Sequence, residues 1–223
     1  MYLSTFAFNP TRRGAQRLLS SPHALHAAVL AGFPDPSPTE TGRVLWRLDN
    51  IDHQTRLYIV SPQRPDLTHL AEQAGWPSLD ESWRVRDYGP LLDRIEHGHR
   101  YRFRLTANPT RSTRSSPTER GKPHGHVTVA QQEKWLLDRQ GNAGFEVCDH
   151  VDAAGEPAGL ELLVRDRKLL TFRRRETSVT LRIASYEGTL SVTDPAAFRQ
   201  TLTFGLGRAK GYGCGLMTIA AAR

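Results

Sequence analysis

The order of strand-like and helix-like segments in the first half of the chain is the feature that most limits its fold. Alternating apolar residues are typical of strands, whereas apolar residues three and four apart are typical of helices. By these patterns the chain predicts, in order, a strand at 2–8, a helix at 22–32, a hairpin of strands at 44–48 and 56–60, a helix at 67–74 and a strand at 101–107. This is the ferredoxin-like order of elements. The sequence therefore predicts an α+β fold that begins with a ferredoxin-like unit.

The second half of the chain predicts a similar but looser α+β plan. Its predicted elements are a helix at 129–140, strands at 145–150, 160–164 and 168–172, a strand pair at 179–184 and 189–192 with a turn at 186–188, a helix at 195–204 and a strand at 216–220. A chain of 223 residues suits two small domains. We therefore expect two tandem ferredoxin-like (RRM-like) domains at 1–108 and 127–223, joined by a basic connector at 109–126. Within the first domain we expect a polar connector around residues 12–17 and an irregular segment at 76–90.

A glycine-rich stretch precedes the last predicted strand, and we refer to residues 204–217 as the glycine loop. It contains five glycines and two cations, Arg208 and Lys210, between apolar residues. Glycine lacks a Cβ, so this backbone can lie close to another backbone or to a phosphate. Exposed amides together with two cations can form a cradle for a polyanion. The spacing matches neither a P-loop nor a Rossmann fingerprint, and a turn that only packs against its own sheet stays an alternative.

The charge of the chain favours a nucleic-acid partner. The net charge is +7, and only four of the 30 basic residues are lysine. Arginine side chains match phosphate oxygens and stack on bases, although an arginine-rich coding bias would give the same excess. The two cysteines form no CxxC pair, and no apolar run is typical of a secretory or membrane-spanning segment. We therefore expect a soluble cytoplasmic protein without a membrane partner.

Four stretches, in this order along nearly the whole chain, resemble one known family. They are Met1–Ser4, the helix around Ser21–His26, the strand Tyr101–Pro109 and the loop Gly205–Leu216. In this combination the chain resembles CasE, the CRISPR-associated endoribonuclease family of type I-E systems, within the repeat-associated RNA-binding superfamily. The resemblance implies that the protein binds a CRISPR repeat RNA hairpin, cuts at the 3′ base of its stem and then joins the other subunits of the Cascade complex. It also implies that cleavage needs no metal, no other cofactor and no contact with DNA.

The resemblance further implies that His26 is the catalytic residue. The 2′-hydroxyl of RNA can attack the neighbouring phosphodiester, and imidazole can take up or release a proton near neutral pH. His23 stands where several family members carry tyrosine, and Ala31 where some carry lysine. We expect His23, three residues before His26 on the same helix face, to be the second proton-transfer group or to position the phosphate. Family members also tend to carry a cation at the position of Lys210, which implies an electrostatic contact with the scissile phosphate.

The surface that holds the RNA is expected to be rich in arginine. In the family a basic element of the second domain enters the major groove of the repeat stem. Two basic clusters compete for this role, one around a predicted hairpin at 165–175 and one in the connector at 111–122. The three arginines at 173–175 are consecutive, so they cannot all face one side of a strand. The residues that we expect to contact RNA are Arg12, Arg13, Arg111, Arg114, Lys168, Arg173, Arg174, Arg175, Gly205, Gly207, Arg208, Gly211 and Gly213.

Three other interpretations are weaker. His-x-Thr units at 53–55 and 126–128 resemble the paired motif of the 2H phosphoesterases, but His53 is predicted to lie in a turn rather than on a strand. A scaffold subunit that holds a processed guide RNA without cutting it would share the basic surface, and His26 would then lie far from it. The histidine pairs at 97/99 and 124/126 lack the further ligands that a metal site needs.

Overall fold

The computed structural model describes residues 1–51, 54–77, 82–113, 122–152, 154–174 and 176–222. Its first unit consists of β1 (Tyr2–Phe8), α1 (Arg13–Leu19), α2 (Pro22–Leu30), β2 (Leu45–Ile51), β3 (Gln54–Ser61), α3 (Thr68–Ala74) and β4 (Trp83–Asp87), followed by the short helix α4 (Gly89–Asp93).

The first four strands form one antiparallel sheet in the order β2-β3-β1-β4. The first strand lies between the third and the fourth, which is the ferredoxin-like order. Phe6 and Phe8 of β1 are buried in a core with Leu25 and Val29 of α2. Residues of α1 and α3 join the same core, so the three helices cover one face of the sheet.

The second unit begins with the strand that sequence analysis placed last in the first unit. Its elements are β5 (Arg100–Ala107), β6 (Thr110–Thr113), β7 (Lys122–Gly125), α5 (Val129–Ala143), β8 (Phe145–Val147), β9 (Asp149–Val151), β10 (Pro157–Leu160), β11 (Leu162–Arg174), β12 (Thr177–Val192), α6 (Pro195–Phe204), a 3-10 turn (Lys210–Tyr212) and β13 (Met217–Ala221).

The main sheet of the second unit has the order β11-β12-β5-β13, and β8 also pairs with β12. With α5 between β5 and β11, and α6 between β12 and β13, this repeats the ferredoxin-like plan. Trp135 of α5 and Phe198 of α6 are buried in its core. The predicted α+β fold with two tandem ferredoxin-like units is therefore confirmed. No helix within the described ranges combines the length and the apolar character needed to cross a membrane.

The prediction that the strand at 101–107 completes the first sheet is wrong. That strand is β5, which lies in the second sheet between β12 and β13. The first sheet is completed by β4, within the segment at 76–90 that the sequence predicts to be irregular. Because β4 lies at the edge of the sheet and keeps most of its side chains outside the core, its sequence lacks a clear apolar alternation. The domain boundary at 108 stays a prediction, and the pairing of β5 argues for a boundary before residue 100.

Two further sequence predictions are corrected. The segment around residues 12–17 is helical, because α1 buries Ala15 and Leu18 on one face. The predicted turn at Tyr186–Gly188 lies within β12, which runs without interruption because β5 and β11 pair with it along both edges.

A buried arginine joins the two sheets. Arg47 of β2 is 1% exposed, and its Nε and Nη2 donate to the two carboxylate oxygens of Asp49, both at 2.8 Å. Its Nη1 donates to the backbone oxygens of Arg104 at 2.7 Å and Leu216 at 3.1 Å, and its Nη2 also donates to Thr218 Oγ1 at 2.8 Å. Arg104 belongs to β5 and Thr218 to β13, so one guanidinium fixes the first sheet against the second.

Candidate active site

His26 lies on α2, at the border between the buried and the exposed face of that helix. Ser21 caps the helix by accepting a hydrogen bond from a first-turn amide at 3.2 Å, and Pro22 occupies the first helical position. Leu25 is buried in the first core, and the side chain of His26 is half-buried. The helix therefore presents the imidazole at the edge of the first unit, beside β2.

Trp46 of β2 orients the imidazole. Its indole Nε1–H donates to His26 Nδ1 at 3.1 Å, and the two ring planes lie 24° apart with their centroids separated by 6.4 Å. Because Nδ1 uses its lone pair to accept this bond, the neutral ring carries its proton on Nε2. In this arrangement His26 is a hydrogen-bond donor through Nε2.

The glycine loop of the second unit lies against both rings. A Cβ on Gly211 would be 3.2 Å from His26 Nε2, and a Cβ on Gly213 would be 2.7 Å from the Trp46 ring. Gly213 also has a φ of +79°, which other residues rarely adopt. The absence of side chains at these two positions allows the backbone of one unit to approach the histidine and the tryptophan of the other.

Lys210 is half-buried and bonded within the glycine loop. Its Nζ donates to the carbonyl oxygen of Gly207 at 2.7 Å. Burial lowers the pKa of Lys210, and the positive charge of Arg43 lowers it further. An anion beside this amine would oppose both effects, because it favours the charged form. The loop therefore holds a cation whose charged form a neighbouring anion would stabilise.

Two residues of the first unit that the sequence predicts to bind RNA differ in their surroundings. The Arg12 guanidinium donates to backbone oxygens at the end of α3, including that of Gly75 at 3.1 Å, and so satisfies carbonyl groups there. Arg13 is exposed at the start of α1. His23 is exposed on α2, one turn before His26. Arg12 thus has a structural role, whereas Arg13 and His23 are accessible to a ligand.

The predicted basic residues of the second unit form two groups. Lys168 and Arg173 are exposed on β11, and this strand adjoins the glycine loop because the Phe172 and Tyr212 rings lie 4.8 Å apart. Arg111 and Arg208 line a common cavity with Gly207. Gly205 lies at the end of α6, where its φ is +78°. Arg114, Arg175, His53 and the side chain of Arg174 lie outside the described residues.

Trp46, whose indole donates to His26, is not among the site residues predicted from the sequence. Trp46 lies in the run Val-Leu-Trp-Arg-Leu, which predicts a strand and gives no local sign that the indole bonds a histidine. The cavity of Arg111 and Arg208 is also lined by Asn108, Trp135 and Arg139, which the sequence does not predict to belong to a site. These residues lie far apart in the sequence, so only the fold brings them together.

Comparisons with known proteins show which proteins the whole chain is similar to. The family model described as CRISPR associated protein matches residues 1–221. The CRISPR-associated endoribonuclease Cse3 of Thermus thermophilus is 27% identical to this chain, over 99% of this chain and 100% of the relative. The structure of Thermus thermophilus Cse3 bound to an RNA representing a pre-cleavage complex has a TM-score of 0.77 at 26% identity and covers 98% of each chain.

The fold is also similar to that of one chain in a larger complex. A chain of a CRISPR RNA-guided surveillance complex, in a pre-nicking state, has a TM-score of 0.69 at 21% identity over 100% of each chain. Because the family model covers nearly the whole sequence, the protein belongs to the CRISPR-associated protein family. The resemblance identified in the sequence is therefore confirmed.

Proposed function

We propose that the protein is a metal-independent endoribonuclease that binds a CRISPR repeat hairpin and cuts it at the 3′ base of the stem. The observation that carries this proposal is the position of His26, whose Nε2 lies 3.2 Å from the place of a Cβ on Gly211 in the glycine loop. A histidine beside a glycine-rich, cationic loop can contact a phosphate that the loop holds. Similar proteins are named as an endoribonuclease and as an RNA-bound pre-cleavage complex, which supports the same assignment.

The proposed reaction rearranges bonds within the RNA itself. The 2′-oxygen forms a bond to phosphorus, and the bond from phosphorus to the 5′-oxygen breaks with its electron pair left on that oxygen. The 2′-hydroxyl loses one proton and the 5′-oxygen gains one, which gives a 2′,3′-cyclic phosphate and a 5′-hydroxyl. Side chains of the protein therefore need only position the phosphate, stabilise its charge and assist the two proton transfers.

We assign His26 to the phosphate and the leaving group. Its Nδ1 accepts the bond from Trp46, so the neutral ring offers an Nε2–H that donates a hydrogen bond to the 5′-oxygen as negative charge develops there. Full transfer of this proton would leave an imidazolate, so the proton that the 5′-oxygen gains comes from solvent. The group that removes the proton from the 2′-hydroxyl is then a different one, and exposed His23 on the same helix is our candidate. Lys210, held in the loop by its bond to Gly207, would stabilise the charge of the scissile phosphate.

We place the repeat stem along β11 and the glycine loop. Lys168 shares a strand face with Phe172, whose ring contacts Tyr212 of the loop. Arg173 lies on the opposite face, so its contribution to RNA binding should be smaller. After cleavage, we propose, the protein keeps the hairpin and acts in the cytoplasm as a subunit of the Cascade complex, in line with its likeness to a surveillance-complex chain.

Incubation of labelled repeat RNA with the protein in EDTA tests the proposed function. We expect cleavage at the same rate as with Mg²⁺, with a cyclic phosphate on the upstream product and a 5′-hydroxyl on the downstream product. A requirement for Mg²⁺ would exclude the mechanism. Hairpin binding without cleavage under any condition would indicate a scaffold subunit, and hydrolysis of a 2′,3′-cyclic dinucleotide without hairpin preference would indicate a 2H phosphoesterase.

Replacement of Trp46 by phenylalanine is expected to slow cleavage by about tenfold, the effect of one lost hydrogen bond, while RNA affinity stays within about twofold. Phenylalanine keeps an aromatic ring beside Gly213 but cannot donate to His26 Nδ1. Single-turnover cleavage at saturating protein measures the rate. The matched control is Trp76→Phe, which removes an indole N–H bonded to the Phe8 carbonyl at 3.0 Å and should leave the rate unchanged. Equal rates for Trp46→Phe and the wild type would contradict the role of this bond.

A further inference from the structure

The cavity that Arg111 and Arg208 line lies at the start of the glycine loop. It has a volume of about 310 Å³. The residues that line it include Asn108, Arg111, Trp135, Arg139, Gly207 and Arg208. A Cβ on Gly207 would be 2.9 Å from the Trp135 ring, so the loop backbone rests on that ring. Gly211, four residues later, rests beside His26. The glycine loop therefore connects two sites.

Three arginines contribute positive charge to the cavity. The Arg139 guanidinium lies over the Trp135 indole, 4.4 Å from the ring centroid, and its Nη1 donates to the Trp135 carbonyl at 2.8 Å. Within the part of the chain that the structure describes, neither Arg111 nor Arg139 forms an ion pair with a carboxylate. The cavity thus contains two guanidinium groups that are not paired with a described carboxylate, which suits a phosphate.

Burial and the positive charge of the cavity change the pKa of a nearby histidine, and burial changes the pKa of Arg139. The pKa of His126 is lowered by burial, then by Arg111 and by Arg139, with Asp138 acting in the opposite direction. Burial also lowers the pKa of Arg139, although Asp138 opposes that change too. Asp138 is engaged elsewhere, since Lys134 donates to it at 2.8 Å. The surroundings of the cavity therefore disfavour further positive charge and favour an anion.

Asn108 indicates that the ligand also carries a hydrogen-bond donor. Asn108 is 6% exposed, and its Oδ1 is buried and accepts no hydrogen bond from the residues that the structure describes, so a ligand meets this atom only when the side chain turns toward the cavity. Buried polar atoms of this kind are normally paired. A phosphodiester only accepts hydrogen bonds, whereas a ribose hydroxyl can donate one. A ligand with a phosphodiester next to a hydroxyl would satisfy the arginines and Asn108 together.

We propose that this cavity binds one ribonucleotide of the single strand that flanks the repeat stem. Arg111 and Arg139 hold its phosphate, and Asn108, with its side chain turned toward the cavity, accepts a hydrogen bond from its 2′-hydroxyl. The proposal rests on the endoribonuclease function above, and it adds a subsite outside the reacting phosphate. Gly207 and Gly211 are at most about 14 Å apart along the loop, so a short single strand can reach from one site to the other. An acidic side chain of a partner protein would leave Asn108 without a donor.

Binding of non-cleavable hairpins tests the subsite. The probes are repeat RNAs with a 2′-deoxy nucleotide at the scissile position, studied in EDTA as a hairpin alone, a hairpin with ribonucleotide flanks and a hairpin with deoxyribonucleotide flanks. We expect the wild type to bind the ribonucleotide-flanked hairpin most tightly. Arg139→Gln should weaken binding of that RNA by about tenfold and lower the slope of log affinity against log salt by about one. Its affinity for the hairpin alone should stay within about twofold.

The control variant is Arg94→Gln, which removes one exposed positive charge at the end of α4, away from the residues that line the cavity, and should change none of these affinities. Arg139→Gln with wild-type affinity for flanked RNA would overturn the proposal, as would equal losses for flanked and unflanked hairpins. Equal wild-type affinity for ribonucleotide and deoxyribonucleotide flanks would overturn the role of Asn108. If the wild type binds no hairpin at all, both the proposed function and the subsite are wrong. If it cleaves the hairpin normally but the flanks have no effect on affinity, only the subsite is wrong.

Discussion

Replacement of His26 by alanine is expected to lower the single-turnover rate of repeat cleavage by about 10²- to 10³-fold, the usual cost of removing one hydrogen-bond donor to an oxygen on which negative charge develops. Affinity for the hairpin should stay within a few-fold, because the basic residues of β11 and the glycine loop remain in place. The side chain is half-buried at the edge of the core, so the variant should fold. Cleavage is measured with labelled repeat RNA at saturating protein, and affinity with the non-cleavable hairpin.

A matched histidine variant makes this result specific. His97 is exposed in the segment between α4 and β5, and His97→Ala should cut at the wild-type rate. His23→Ala tests which group removes the proton from the 2′-hydroxyl. A large loss of rate in that variant would support the assignment of His23 as the base. Wild-type cleavage by His26→Ala would exclude the proposed mechanism.

Replacement of Asp49 by alanine is expected to destabilise the protein by about 3–5 kcal/mol, the usual cost of removing one partner of a buried ion pair. Asp49 is 2% exposed and accepts two hydrogen bonds from Arg47, and Arg104 Nε lies 3.5 Å from its Oδ1. Without the carboxylate, the Arg47 charge stays buried and uncompensated. Urea unfolding followed by circular dichroism measures the change in the free energy of unfolding.

The control for this prediction is Asp93→Ala, which removes an exposed carboxylate at the end of α4 and should change the free energy of unfolding by less than about 0.5 kcal/mol. A loss below about 1 kcal/mol in Asp49→Ala would show that the ion pair does little to hold the sheets together. Because Arg47 also bonds the backbone next to β13, we expect Asp49→Ala to slow cleavage even where the protein remains folded.

The fold could be predicted because each sheet is built from segments whose own patterns are clear. Phe6 and Phe8 alternate along β1, and Leu25 and Val29 are four apart on α2. The partner of a strand is not encoded in its own alternation, however. The segment Arg100–Ala107 has the same pattern whichever sheet it joins, and the edge strand β4 has almost none. Local sequence therefore predicts the elements better than it predicts their pairing.

The candidate site could be predicted in part, for a similar reason. His26 and the glycine loop belong to short motifs that can be read from the sequence. Trp46 and Arg47 lie in an ordinary strand pattern, and their importance depends on contacts with residues that are distant in the chain. A hydrogen bond between residues 46 and 26, or between 47 and 216, leaves no periodic signal. Such contacts become visible only in the folded protein.

The adjacency of Trp46 and Arg47 on β2 has a consequence for how the reactive centre is aligned. Consecutive strand residues project from opposite faces, so Trp46 meets His26 on one side while Arg47 meets the second sheet on the other. Both contacts therefore depend on the same register of β2 against β3, which decides the face that each side chain occupies. A pairing error of one residue would exchange the two faces and lose both contacts at once. Correct alignment of the histidine and correct docking of the two units are therefore a single all-or-none event.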